Sequence, residues 1–240
     1  APTIVMLHEG LGSVGLWNDF PEKLQAATGC GVFAYSRAGY GNSSPVTLPR
    51  PLEYMHIEAT DVLPKLLDAI GFRKGLLLGH SDGASIAAIF AGSRQDHRVR
   101  GLVLIAPHFI VEDISVKSIA EIKRTYETTD LKAKLARWHR DVNNAFYGWN
   151  GAWLDPAFRD WTITGELHRI RCPLLAIQGV DDEYGTLEQI RGIAREVPGT
   201  QLLELPACGH SPHKDQPEAL IEAVSAFMTR DAPTPASPPA

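Results

Sequence analysis

The chain has 240 residues, of which 44% are hydrophobic and 21% charged, and its formal net charge is −5. This length predicts one domain with an insertion rather than two domains, and the hydrophobic content is sufficient for a large buried core. The negative charge excludes a broad basic surface, so we expect neither nucleic acid nor a membrane surface as a partner.

The cysteines and the lack of long apolar runs bear on the cellular compartment. The number of cysteines is odd and none has CxxC spacing, which argues against a disulfide framework or a zinc site. The three cysteines are Cys30, Cys172 and Cys208. No apolar run approaches the roughly 20 residues of a membrane span, and no signal peptide is visible. We therefore expect a cytoplasmic protein. No phosphate-binding glycine loop or metal-ligand cluster is visible, so no cofactor and no metal are expected.

Six short apolar runs alternate with segments whose apolar residues have helical spacing. The runs are continuous rather than alternating, which is typical of strands buried on both faces of a parallel sheet. Apolar residues recur every three or four positions over 59–70 and 220–228, which predicts helices. The repeated strand–helix units predict an α/β fold with a doubly wound, mostly parallel sheet. The predicted strands are 4–7, 32–35, 76–78, 102–105, 174–177 and 202–205.

The segment 109–171 interrupts this pattern. It has no strong strand signal, its apolar residues step by three or four between Leu131 and Phe146, and it holds four of the five tryptophans. A helical insertion after a strand of an α/β sheet predicts a cap over the carboxyl edge of the sheet, where ligands bind. An ordinary helical excursion packed on the core is the alternative. The predicted core is 1–108 and 172–230, and the proline-rich tail 231–240 is expected to be disordered.

The stretch Gly79-His80-Ser81-Asp82-Gly83 stands where a predicted strand gives way to a helix rich in small residues. In this context a GxSxG spacing predicts a nucleophilic serine on a strained turn, because the two glycines remove the clashes that a Cβ would cause. The following helix directs its N-terminal N–H groups and dipole toward the serine. Ser81 is therefore the predicted nucleophile, and a small residue in a plain tight turn is the alternative.

A nucleophilic serine needs a general base. His210 comes soon after the strand 202–205, and therefore lies at the same sheet edge as Ser81. His213 is the alternative base, and if it is not the base it is expected on the surface or behind the site. A metal site built on these two histidines lacks further ligands in the sequence.

The base in turn needs an acid that orients it. The loop after the strand 174–177 carries three consecutive acidic residues, again at the predicted carboxyl edge of the sheet. Asp182 is preferred over Asp181 and Glu183, because a Gly-x-x-Asp pattern places its carboxylate at the top of the loop. The sequence thus predicts Ser81, Asp182 and a later histidine in the order in which this type of fold supplies them.

Backbone N–H groups stabilise the oxyanion of acyl transfer. The N–H of Asp82, the residue after the nucleophile, is one expected donor. The loop 8–13 follows the first predicted strand, and its glycines at 10 and 12 allow the Leu11 N–H to turn inward as the second donor. Since an Asp82 carboxylate would oppose a developing oxyanion, we expect its side chain to turn away, to be paired or to be protonated.

Five motifs occur together in one order. They are LHEGLGS at 7–13, SRAGYGNS at 36–43, GHSDG at 79–83, QGVDD at 178–182 and CGHSPH at 208–213. With these motifs the chain resembles the α/β-hydrolase-fold serine hydrolases, in the esterase-like branch with a helical cap. The resemblance implies a Ser81–His210–Asp182 triad, oxyanion donors at Leu11 and Asp82, and a cap over the site.

The resemblance also assigns the motif at 36–43. It implies that this motif forms a structural turn and takes no part in the chemistry. The residues that shape the turn are Arg37, Gly39, Gly41 and Ser43. One departure concerns the oxyanion loop, where many relatives have His-Gly and this chain has Glu9 before Gly10.

The implied reaction is acyl transfer, in which Ser81 attacks a carbonyl carbon, His210 takes the serine proton and Asp182 holds the imidazole tautomer. A serine nucleophile disfavours the haloalkane dehalogenase and epoxide hydrolase branches, which have an aspartate there. Hydrolysis of a small, mostly neutral carboxylic ester is the favoured function. Lactonase, thioesterase, amidase, carbon–carbon hydrolase and haloperoxidase activities remain open, as does a ligand-sensing protein that retains the triad.

Aromatic residues of the insertion and its entry are candidates for the substrate pocket. His108 and Phe109 stand at the entry, and Trp149 and Trp153 lie in the loop-like stretch YGWNGAWLDP. These four residues are the predicted substrate contacts, with a slight preference for an aromatic ester. Trp138 has helical spacing with its neighbours and is expected to pack the insertion on the core instead.

Overall fold

A computed structural model describes residues 2–230, so the tail 231–240 lies outside the described residues. The strands are β1 Thr3–Leu7, β2 Gly31–Tyr35, β3 Gly75–His80, β4 Val99–Ile105, β5 Leu174–Gly179 and β6 Gln201–Leu205. All six predicted runs are therefore strands, and they form one parallel sheet in the order β2-β1-β3-β4-β5-β6. This arrangement confirms the predicted fold class.

Helices cover both faces of the sheet. The helices before the insertion are α1 Phe20–Thr28, α2 Tyr54–Ile57, α3 Leu63–Ala69 and α4 Asp82–Arg94, with a π-helical segment Glu58–Val62 between α2 and α3. Those of the insertion are α5 Asp113–Thr128, α6 Leu131–Leu135, α7 Val142–Trp153 and α8 Thr164–Leu167. The last are α9 Glu188–Glu196, α10 Pro212–Asp215 and α11 Pro217–Arg230. Side chains of β1 alternate between the two layers: Ile4 and Met6 pack with α1 and α11, and Val5 and Leu7 with α3 and α4.

The strand order creates a switch point between β1 and β3. From β1 the chain adds β2 on one side, and it then returns to place β3 on the other side of β1. The helix α1, which follows β1, covers one face of the sheet, and α4, which follows β3, covers the other. Loops that leave a parallel sheet in opposite directions open a crevice at its carboxyl edge, which is the usual place for a ligand site in such folds.

The insertion between β4 and β5 is helical, as predicted. The stretch around Trp149 is not a loop, because α7 runs without a break to Trp153. Two glycines weaken the helix propensity of this stretch, and burial of Phe146, Trp149 and Trp153 outweighs them. Trp138 of the insertion lies over Gly15 of the core, which is the packing expected from the sequence. The residue nevertheless remains 39% exposed.

Two further findings concern the cysteines and the length of the helices. Cys30, Cys172 and Cys208 are all free thiols in the structure. In residues 2–230, each helix is either too short or too polar to cross a lipid bilayer.

Candidate active site

Ser81 lies in a strained turn between β3 and α4. Its φ of 52° and ψ of −120° fall in a region that residues with a side chain rarely adopt. The flanking glycines make the turn possible, because a Cβ at Gly79 would lie 2.3 Å from the Gly83 carbonyl oxygen. A Cβ at Gly83 would lie 2.1 Å from the Leu7 carbonyl oxygen. The close approach of α4 to β1 and β3 thus depends on both glycines and presents Ser81 at the start of α4.

Asp182, after β5, and His210, after β6, form a hydrogen-bonded pair. Nδ1 of His210 lies 2.9 Å from Oδ1 and 3.0 Å from Oδ2 of the buried Asp182 carboxylate. The carboxylate also accepts hydrogen bonds from the Gln178 amide at 3.1 Å and from the Tyr184 N–H at 2.8 Å. Because Asp182 engages Nδ1, the other ring nitrogen of His210, Nε2, is the one available to Ser81.

The pairing shifts the two pKa values in opposite directions. Burial opposes ionisation of Asp182, but the hydrogen bond and charge of His210 outweigh it and hold the pKa of this carboxyl below its ordinary range. Burial also favours the neutral ring of His210, but Asp182 outweighs it and raises the pKa of the imidazole. Of the alternative acids, Asp181 is exposed, and the exposed Glu183 accepts from the backbone N–H of His210 at 3.2 Å.

His213, the alternative base, is packed behind the site and is not a surface residue. Its ring lies 4.8 Å from Trp17 and 4.9 Å from His80 between centroids, and both ring nitrogens are buried without a hydrogen-bond partner in the described chain. Burial lowers the pKa of His213 to about 2, so the ring is neutral. Within residues 2–230, no group of three or more potential metal-ligand side chains comes together.

A cavity of about 100 Å³ opens beside Ser81. The sequence-predicted residues that line it are Leu11, Ser81, Asp82, His108, Trp149, Trp153 and His210. Four residues outside the predicted site list also line it: Glu9, Gly10, Ile119 and Tyr184. The wall is thus built from both the sheet edge and the insertion, and much of it is aromatic. Such a cavity can hold a small apolar group next to the serine hydroxyl.

His108 and Phe109 are neighbours in sequence but lie in different environments. His108 lines the cavity with its ring 4.9 Å from that of Trp153, and burial lowers its pKa to about 3. Phe109, also expected at the pocket, lies outside it. Its N–H donates to the Gln189 side chain at 2.8 Å, and its ring fills the space where a Cβ of Gly192 would stand. These two contacts direct Phe109 into the core against α9.

Buried side chains hold the loop after β1. The Arg37 guanidinium donates to the carbonyl oxygens of His8 and Glu9. The His8 ring accepts from the Arg37 N–H at 3.0 Å and donates from Nδ1 to the Glu9 carbonyl oxygen at 2.7 Å. These bonds fix the loop that places Gly10 and Leu11 on the cavity wall. Arg37, which the sequence assigns only to a structural turn, therefore also supports this loop.

Asp82 directs its carboxylate into a buried network of neutral donors. The Tyr54 hydroxyl donates to Oδ2 at 2.5 Å, and the Trp153 indole N–H lies 3.2 Å from Oδ1. Burial raises the pKa of Asp82 and outweighs the opposing effects of the Arg37 charge and of the two hydrogen bonds. The expectation that this carboxylate is paired is therefore met by Tyr54 and Trp153, which join α2 and α7 to the start of α4.

Glu9 gives one side of the cavity a negative charge. Its Oε2 lies 3.4 Å from Nδ1 of His80, whose Nε2 donates to the His210 carbonyl oxygen at 2.7 Å. Burial opposes ionisation of Glu9, but the hydrogen bond and charge of His80 keep its pKa well below the usual range. Glu9, the residue that departs from the His-Gly of many relatives, thus links the loop after β1 through His80 to the backbone of the His210 loop.

Known proteins resemble the chain over most of its length. A human serine hydrolase, BPHL, is 27% identical over 194 residues, which are 76% of this chain and 64% of that protein. The chain therefore spans slightly less than two thirds of this relative. A putative carbamate hydrolase, RutD, of a Caulobacter species is 26% identical over 252 aligned positions, which cover 95% of this chain and 91% of that protein.

Solved structures share the fold at lower identity. A thermophilic esterase from Thermogutta terrifontis superposes with a TM-score of 0.72 at 22% identity, covering 96% of this chain and 90% of the esterase. Residues 4–223 match the family described as the alpha/beta hydrolase family. Since this match extends over most of the chain and the relatives are largely hydrolases, a hydrolytic activity is supported. The chain belongs to the α/β hydrolase family.

Proposed function

We propose that the protein hydrolyses small, neutral carboxylic esters through an acyl-enzyme on Ser81. The observation that carries this proposal is the Asp182–His210 pair, because the imidazole of this pair belongs to a residue that lines the same cavity as a serine held on a strained turn. A serine hydroxyl is a weak nucleophile, and an oriented imidazole is the group that activates it. The serine hydrolase and esterase among the similar proteins support the same reaction.

Each step has a group to perform it. Ser81 Oγ bonds to the ester carbonyl carbon while its proton moves to Nε2 of His210, and the N–H groups of Leu11 and Asp82 receive the oxyanion. The carbon–alkoxide bond then breaks, and the alcohol leaves with the proton from His210. A water molecule then attacks the carbonyl carbon of the acyl-enzyme and gives a proton to His210. The bond between this carbon and Ser81 Oγ breaks, Oγ takes the proton back from His210, and the acid is released. Asp182 stabilises the imidazolium in both halves.

The cavity supports a short acyl group. An engineered cavity of about 150 Å³ in a protein core holds benzene, and the cavity beside Ser81 is smaller, at about 100 Å³. This size favours short aliphatic acyl groups over the aromatic ester slightly preferred from the sequence.

The insertion 109–171 is proposed to act as a cap on this site. It contributes Ile119 from α5 and Trp149 and Trp153 from α7 to the cavity wall. Removal of water from the reacting groups strengthens the electrostatic interactions on which acyl transfer depends. The acyl group would then lie between the insertion and the sheet edge.

Turnover of p-nitrophenyl esters from acetate to octanoate tests this proposal. We expect turnover of the short esters, with a steep fall beyond about four carbons, and its loss in Ser81→Ala and His210→Ala. Matched thioesters, amides and lactones decide whether the carboxylic ester is the preferred bond. Ester turnover that survives Ser81→Ala would refute the mechanism. Stoichiometric labelling by a fluorophosphonate without turnover of any of these substrates would favour a ligand sensor.

A further inference from the structure

We propose that His139, in the insertion, is a positioning residue for the oxyanion donor at Leu11. The inference rests on the proposed function, because it gives His139 a role in the acyl transfer by Ser81. The sequence offers no signal for this role, since His139 lies in the segment between α6 and α7 and far along the chain from Leu11. The structure brings the two residues into contact.

The hydrogen bonds of His139 fix its tautomer. Its ring is 4% exposed, with Nδ1 3.0 Å from the Gly41 nitrogen and Nε2 3.0 Å from the Leu11 carbonyl oxygen. A backbone N–H can only donate, so Nδ1 is the acceptor, and the proton on Nε2 is donated to Leu11. Burial lowers the pKa of His139, which agrees with a neutral ring that uses both nitrogens.

Leu11 needs such a restraint because of its neighbours. It stands between Gly10 and Gly12, and glycines leave the backbone free to rotate. Arg37 holds the loop at the Glu9 carbonyl, and the Gly12 N–H donates to the same oxygen at 3.1 Å, whereas the Leu11 carbonyl itself has no partner within the described loop 8–13. In the described chain, the His139 ring is the hydrogen-bond partner of the Leu11 carbonyl, which shares one Cα with the Leu11 N–H. Fixing this carbonyl therefore limits the directions in which the N–H can point.

The contact couples the insertion to the oxyanion loop. The N–H of Arg140 donates to the Gly41 carbonyl oxygen at 2.8 Å, so both polar groups of Gly41 bind the insertion. The same short segment thus holds the turn after β2 and the loop after β1. A shift of this segment would misplace the Leu11 N–H, and a small misplacement of a preorganised donor lowers the rate more than substrate binding.

A matched pair of variants separates positioning from stability. His139→Phe keeps a buried ring and removes both hydrogen bonds. Asn144, in α7, is a comparable anchor, since its side chain binds the N–H of Val46 at 3.0 Å and its carbonyl oxygen at 2.7 Å. Asn144→Leu therefore breaks two bonds between insertion and core without touching Leu11. A third variant, His139→Gln, has an amide that can accept from Gly41 and donate to Leu11.

The readouts are kcat and KM for a short p-nitrophenyl ester, the affinity for a trifluoromethyl ketone, and the labelling rate of Ser81 by a fluorophosphonate. For His139→Phe we expect a fall of about 10- to 100-fold in kcat and labelling rate, with KM within about threefold and weaker ketone binding in parallel. His139→Gln should recover most of kcat. Asn144→Leu should lose as much thermal stability as His139→Phe and keep kcat within about threefold.

Equal kcat losses in His139→Phe and Asn144→Leu would overturn the proposal, and so would wild-type kcat and labelling rate in His139→Phe. The labelling rate keeps the two proposals separable. Wild-type protein that is labelled but does not hydrolyse esters contradicts the proposed function, while the effect of His139→Phe on labelling still decides the role of His139. Wild-type protein that is neither labelled nor active contradicts both.

Discussion

Two buried aspartates flank Ser81, and their surroundings differ in one respect. Asp182, on the β5–β6 side, faces the imidazole of His210. Asp82, on the α2–α7 side, faces the neutral donors of Tyr54 and Trp153. The pKa of Asp182 is lowered by its partner against burial, whereas burial raises the pKa of Asp82. The comparison teaches that a basic partner, an imidazole that can take a proton, rather than burial, distinguishes the carboxylate proposed for catalysis from the one in the buried network.

The largest expected difference between the two sides is catalytic. Asp182→Asn should lower kcat by about 10²- to 10⁴-fold, because the asparagine no longer selects the imidazole tautomer that accepts the serine proton. Asp82→Asn should lower kcat by less than about tenfold, because its backbone N–H remains and its side chain points into the network. Steady-state kinetics on a short ester measure both. Losses of similar size would remove the distinction between the two aspartates.

The next effect concerns the insertion side of the cavity. Trp149 packs against Gly10, where a Cβ would lie 2.2 Å from the indole, and it lines the cavity proposed for the acyl group, whose length we expect it to limit. Trp149→Ala should raise kcat/KM for octanoate relative to acetate by about tenfold or more, since each buried methylene contributes roughly 1 kcal/mol or more. Trp161→Ala is the matched control, because Trp161 stacks on Phe158 outside the cavity. An unchanged chain-length preference in Trp149→Ala would refute this assignment.

The pH dependence of catalysis tests the Asp182 side alone. His210 accepts a proton only when neutral, so kcat/KM should fall as the pH drops through its pKa, which Asp182 raises above the ordinary value. In Asp182→Asn the acid limb should move to lower pH, because burial then acts without the opposing carboxylate. A pH–rate profile of each protein gives the comparison. An acid limb at the same pH in both proteins would argue against His210 as the base.

The smallest expected effect is on the pH dependence of stability, to which Asp182 and Asp82 contribute with opposite signs. Asp182 has a lowered folded-state pKa, so its contribution is present above about pH 4 and is lost as the pH falls through that pKa. Asp82 has a raised folded-state pKa, so its contribution to the free energy of unfolding is present below about pH 4 and is lost as the pH rises through that pKa. Relative to wild type, Asp82→Asn should therefore gain stability with rising pH. In Asp182→Asn the slope also includes the titration of His210, whose pKa falls when its carboxylate partner is removed.

Urea unfolding between about pH 3.5 and 5.5 measures the slope for Asp82→Asn, since His210 keeps its Asp182 partner in this variant and in wild type and stays protonated over that range in both the folded and the unfolded state. The difference in unfolding free energy between this variant and wild type is the quantity to plot. A difference between Asp82→Asn and wild type that stays flat or falls with rising pH would show that the folded-state pKa of Asp82 is not raised.

The sequence was sufficient to predict the parts of the molecule that depend on the order of neighbouring residues along the chain. Continuous apolar runs identified the strands, and the turn residues after them pointed to Ser81, Asp182 and His210, because parallel strands bring their carboxyl ends to one edge. Residues that act through long-range contacts were missed. His139 meets Leu11, and Tyr54 meets Asp82, only after the insertion and α2 have packed on the sheet. No local periodicity encodes such contacts.

Two further differences have the same origin. The helix around Trp149 forms against the weak propensity of its glycines, because tertiary burial outweighs propensity. Phe109 faces the core because Gly192, on α9, leaves space for its ring. Both outcomes depend on a partner distant in sequence, and neither could be deduced from spacing.

The most direct test of the central claim is to trap the covalent intermediate. Wild-type protein is mixed with a fluorophosphonate or a slowly deacylating short p-nitrophenyl ester, and intact mass and peptide mapping follow. The account predicts one adduct per chain on Ser81, none in Ser81→Ala, and adduct formation slowed in Asp182→Asn far more than in Asp82→Asn. Ester hydrolysis by wild-type protein with no adduct on Ser81, or with the adduct on another residue, would contradict it.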